Sequence, residues 1–159
     1  MNIFYLSHDP REAAIYHCDT HCNKMILETA QLLSTAHRET DSIYSDLVYK
    51  STHKNHPSAV WTRASRDNYL WLRSHLMALG REYTKRYGKV HKTIQTHSQS
   101  LLEPPRGISD LGFTDPPQCM PDECKSSDAV VAYHTYYNHK ADDWDARGIP
   151  MKWYGREAV

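Results

Sequence analysis

The 159-residue chain contains only two phenylalanines and carries no net charge. Its first apolar run, Ile3 to Leu6, spans four residues with charges close behind. Such a run is too short for a membrane span or the apolar region of a secretory leader. A cytoplasmic setting with no membrane partner is therefore expected. The chain also lacks repeats, low-complexity tracts and period-two alternation that would support a sheet. Hydrophobic residues make up 40% and charged residues 24%, which excludes a disordered chain and fits one core. Cys18, Cys22, Cys119 and Cys124, with no leader ahead of them, read as thiols or metal ligands rather than as disulfides.

Eleven tyrosines, four tryptophans and eleven histidines offset the missing phenylalanine. Rings with a polar handle suit surfaces that stack on or hydrogen-bond a ligand, although they also fill cores. Charge is uneven despite the neutral total. Between Trp61 and Lys92 eight basic residues face two acidic ones, so this segment is +6 and the remainder −6. A basic face of this kind fits an anionic partner such as DNA, or an ordinary solvated helix face.

Helix signals dominate. Asp9-Pro10 reads as a cap followed by proline at the first helical position, and no glycine or proline interrupts the next residues up to His37. One long helix is predicted there. Pro57 opens a second, running to Tyr87 and closed by Gly88. Residues 89–102 predict a short helix, and a C-terminal helix starts near Ser127 or Asp128. Between them, residues 103–121 hold five prolines and two glycines, a loop. The fold class is all-α: one compact domain over 1–159, built on two long helices and a C-terminal one, with a Pro-rich loop.

On the first helix His17, His21, Lys24, Glu28, Gln31 and Thr35 fall within roughly 80° of one another. Apart from Asp19, no charge lies off this stripe between residues 13 and 37, so the helix is expected to be buried and the stripe to line a cleft. Lys24 and Glu28, four apart, could also simply pair. The catalytic candidates are Glu28 as base or cation stabiliser, His21 as acid–base partner, and Lys24 as clamp or amine nucleophile. His17, Gln31, His53, His56, Trp61, Arg63 and Asn68 are the candidate substrate contacts. Lys54, Arg66, Arg86, Lys89, His91 and Lys92 are the candidate DNA contacts. In HCDTHC, His17 and His21 share a face while Cys18 and Cys22 lie about 100° further round, so one ion cannot take all four. The thiols read as small buried hydrophobes, with a zinc site shared with Cys119 and Cys124 as the alternative. No cofactor or metal is called for.

The MNIFYL start, the HCD-x-H-x-x-KM-x-x-E-x-AQLL helix, THKNHPSAVW-x-R, YGKVHK and PPQCMPDE resemble a set of small phage-encoded proteins across nearly the whole chain. More distantly, the layout resembles the phage pyrimidine-dimer DNA glycosylase/AP-lyase of the endonuclease V type. His21 and Glu28 stand at that family's His-to-Glu spacing. The aromatic-basic Lys152-Trp153-Tyr154-Gly155 matches its C-terminus in outline. The resemblance implies a DNA-base-acting enzyme with Glu28 at its centre. The family's nucleophile is the α-amine of a small residue exposed by methionine removal, whereas here residue 2 is Asn2. Two other functions stay open: an enzyme modifying a hypermodified pyrimidine in phage DNA, and a non-catalytic binding or anti-defence protein.

Overall fold

The computed structural model describes residues 1–40, 42–149 and 151–153. Within them the order is α1 (Pro10–Tyr16), α2 (Asp19–Arg38), α3 (Pro57–Ala64), α4 (Arg66–Tyr87), α5 (Lys92–His97) and α6 (Ala129–Ala146). Two single 3-10 turns, Ser45–Leu47 and Asp122–Cys124, stand in the connections, and no strand is present among the described residues. Asp9 caps α1 by accepting from the Arg11 N–H, with Pro10 at the first position. Gly88 closes α4 at φ 71°, a left-handed conformation that an L side chain resists.

Both long predicted helices are broken. The first stops at Tyr16 and restarts at Asp19, because the backbone of His17 and Cys18 is extended. Arg86 stabilises that break from α4: it donates to the carbonyls of Ile15 and His17 and to the Asp19 carboxylate. The second breaks at Ser65, whose extended backbone ends α3 and whose hydroxyl caps α4 by accepting from the Asn68 N–H. The helix expected within 89–102 is the single stretch of α5.

The core joins the N-terminal residues Ile3 to Leu6 to α2 (Ile26, Leu32, Leu33), α4 (Tyr69, Leu72, Leu76, Leu79) and α6 (Tyr133, Tyr137). Full burial of one such side chain contributes about 1.5–3 kcal/mol. The N-terminal segment is therefore a core element, although it is neither helix nor strand. It is pinned by Asn2, whose amide donates to the Cys119 carbonyl and accepts from the Tyr133 hydroxyl. The Pro-rich loop is tied down by Asn68 and Trp61, which bond Thr114. The result is an all-helical single domain. No helix among the described residues is long and apolar enough to cross a membrane.

Candidate active site

Three features place the candidate residues of α2. His21, Lys24 and Glu28 recur at helical spacing, the Cys18 restart sets their rotation, and the buried N-terminal segment lies across them. They line one cavity of about 300 Å³ together with Met1, Phe4, His56, Cys119, Tyr136 and Lys140. Glu28 lies between two amines: the Met1 amino group is 3.7 Å from Oε1 and Lys24 Nζ is 3.9 Å from Oε2. Lys24 is 67% exposed and Glu28 19%, so the carboxylate is sheltered while the lysine reaches solvent.

His21 is clamped. Phe4 stacks on its ring at 4.3 Å, and Nδ1 shares a 2.7 Å hydrogen bond with the Tyr137 hydroxyl. Burial, with help from Lys140 and Lys24, pushes its pKa down to about 4, so the imidazole is neutral at pH 7. His56 is lowered too, by burial first and then by the Met1 amino group and His53. Lys140 lies over the Tyr136 ring at 4.7 Å, a cation–π contact on the cavity wall. Phe4 has φ 53°, a left-handed backbone rare for a bulky residue, so the segment that carries Met1 is held there against local preference.

The stripe is only partly assembled. His21, Lys24 and Glu28 share the cavity, but His17 does not. It lies in the α1–α2 break, buried against His75 at 5.1 Å, with Nδ1 donating to the Ala13 carbonyl. Gln31 is half-buried one turn beyond Glu28, outside the cavity lining. Nor is α2 closed to solvent apart from its stripe, since Asn23 and Leu27 are exposed. They form, with Lys24, Glu28, His91 and Lys92, the wall of a second cavity of about 550 Å³.

The other candidates divide similarly. His56 reaches the same cavity as His21 and Glu28 while capping α3, whereas His53 and Lys54 are exposed in the preceding loop. Trp61 and Asn68 are core residues whose polar atoms bond the 103–121 loop and each other. Arg63 is half-buried with Nη1 unpartnered, and Arg66 lines a separate depression beside Glu103 and Arg106. Arg86 is 13% exposed and fully engaged in the α1–α2 break, so it is a structural arginine. Lys89 is exposed in the α4–α5 turn. Tyr154 and Gly155 of the C-terminal match lie outside the described residues.

All four cysteines are free. Cys18 accepts from Tyr137 and Cys22 donates to the Leu79 carbonyl; burial raises both thiols. Among the described residues no three His, Cys, Asp or Glu side chains are placed to hold a metal ion. Met1, Asn2, Phe4, Cys119, Tyr136 and Lys140 are lining residues that spacing on one helix could not reveal. They come from the N-terminus, a loop and α6.

The fold and site thus define a helical domain with an amine–carboxylate cavity. No protein-family model, curated protein or solved structure matches the chain.

Proposed function

We propose that the protein is an enzyme acting on DNA bases by glycosylase/AP-lyase chemistry, encoded by a phage and working on DNA in the host cytoplasm. The observation that carries this reading is the Met1 amino group 3.7 Å from Glu28 Oε1 inside a cavity that also holds His21 and Lys24. An amine attacks C1′ of the deoxyribose while the C1′–N bond to the base breaks, and the base leaves with a proton. The ionised Glu28 carboxylate stabilises the cationic sugar as that bond breaks, then takes the proton that the amine loses on bonding and passes it to the departing base. Transfer of the remaining N–H proton to the ring oxygen opens the sugar to an imine. Loss of a C2′ proton to Glu28, now ionised again, then forms the C2′–C3′ double bond as the 3′-phosphate departs and cuts the strand. The half-buried Tyr136 ring and neutral His21, both in the cavity lining, offer a flipped base a stacking face and a hydrogen bond. The amine is that of Met1, with Lys24 as the other candidate.

Borohydride trapping on DNA with an abasic site or a pyrimidine dimer tests this directly. A covalent adduct mapped by mass spectrometry to the Met1 or Lys24 peptide, absent in Glu28→Gln, is expected. No adduct and no strand cleavage by the wild-type protein rejects the lyase reading.

Cys119 supports a second reading, because a half-buried thiol lies in the same cavity. A thiol that adds to C6 of a pyrimidine activates C5, where hypermodified bases carry their substituents. Nucleoside mass spectrometry of treated, modified phage DNA would then show a changed base, and Cys119→Ser would abolish the change.

A further inference from the structure

The active-site cavity is not isolated on α2. Lys24 and Glu28 line it on one side and line the 550 Å³ groove on the other, so the two spaces share a wall one helix wide. The groove runs between α2 and α5 and is unlike a solvated helix face. Leu27, 40% exposed, is among its lining residues, a branched apolar side chain open to solvent. Across from it the rings of Tyr49 and His97 contact at 4.0 Å between centroids. Lys92 and Lys24 supply cations at the edge, and the Tyr49 hydroxyl shares a 3.0 Å bond with Thr93 Oγ1 that fixes its ring.

Aromatic surface edged by lysines is what a base and its phosphate need, since every base has a stacking face and every linkage a negative charge. We infer that the groove is a second nucleotide subsite, holding the nucleoside joined to the one that reacts. Resting on the proposed function, the inference names the substrate class as a strand of at least two nucleotides, splayed over Glu28, rather than a free nucleotide. The reacting nucleoside enters the amine-bearing cavity. Its neighbour stacks on Tyr49 and His97 beside Leu27, with its phosphate toward Lys92.

Calorimetric titration of Glu28→Gln protein with thymidine 5′-phosphate and with the thymidylate dinucleotide tests the subsite without turnover. The dinucleotide should bind about tenfold or more tighter, the size of one stacked base. Leu27→Trp, which fills the groove from an exposed position, and Lys92→Ala should each remove most of that gain while leaving helical content by circular dichroism unchanged. Equal affinities, no binding of either probe, or a gain that survives both substitutions would overturn the inference. Failure of the enzyme reading is seen separately, as the missing borohydride adduct, because the titration uses a variant that needs no chemistry.

Discussion

Arg86 Nη1 donates to the carbonyl of His17 at 2.8 Å, joining the end of α4 to the gap between α1 and α2. The same guanidinium also serves Ile15, Asp19 and Glu82, so one side chain replaces the helical bonds the break leaves unmade.

Arg86→Ala should therefore cost about 3–5 kcal/mol, because it strands the sheltered Glu82 carboxylate and two carbonyls. Arg86→Lys should recover less than half of that, since an ammonium cannot span the fork. Urea midpoints of the three proteins measure both effects. A loss under about 1 kcal/mol for the alanine variant would contradict the account.

Acid should unfold the protein unusually early. His21, His37 and His75 are each pushed down to about 4 by burial, from an ordinary 6.5. His17 is lowered as well, by burial and then by His75. A folded pKa below the unfolded one means the unfolded chain binds more protons, so stability is full above pH 6.5 and falls as pH drops toward 4. Each of the three histidines removes about 3 kcal/mol over that window, and together they rival the usual total of about 5–15 kcal/mol. Half-unfolding near pH 5, followed by circular dichroism, is expected. A chain still folded at pH 3.5 would refute it.

Asn2 fixes the amine. Its amide oxygen accepts from Tyr133 and from the Ile3 N–H, and its nitrogen donates to Cys119. Asn2→Ala should lower stability by about 1–3 kcal/mol and reduce adduct formation at least tenfold, since Met1 loses its anchor beside Glu28. If trapping is unimpaired, placement of the Met1 amine is not what limits the reaction.

Gly80 is where α4 admits α5. A Cβ there would meet Ile94 Cγ1 at 2.8 Å and Cδ1 at 2.9 Å. Gly80→Ala gains about 1 kcal/mol of helix propensity and loses about 1–3 kcal/mol to overpacking, a net loss of about 1 kcal/mol. Its larger effect should fall on the groove, because α5 carries Lys92 and His97. The dinucleotide gain should shrink with little change in melting temperature.

The all-α class, the Asp9-Pro10 and Pro57 starts, the Gly88 stop and the α6 start near Asp128 were legible because they rest on local chemistry. The α3–α4 break was legible in principle, with Ser65 a good cap ahead of Asp67 and Asn68, but the continuous periodicity hid it. The break at His17 was not legible, since no glycine or proline marks it and its partner is Arg86, 69 positions away. The grouping of His21, Lys24 and Glu28 followed from helical spacing. His17 failed that rule because the helix had not yet restarted. Trp61, Asn68 and Arg86 have the composition of ligand contacts, yet their polar atoms are occupied by the protein itself.

The anchoring of Asn2 to Cys119 and Tyr133 also has a consequence in time. These partners lie 117 and 131 residues along the chain, so the loop they close takes in most of it. Closure of so long a loop comes after local helices form, because its entropy must be met before the contacts reward it. Glu28 is in place as soon as α2 packs, while the amine beside it arrives only when the N-terminal segment has met the Pro-rich loop and α6. On refolding, helical content should return first and trapping competence last.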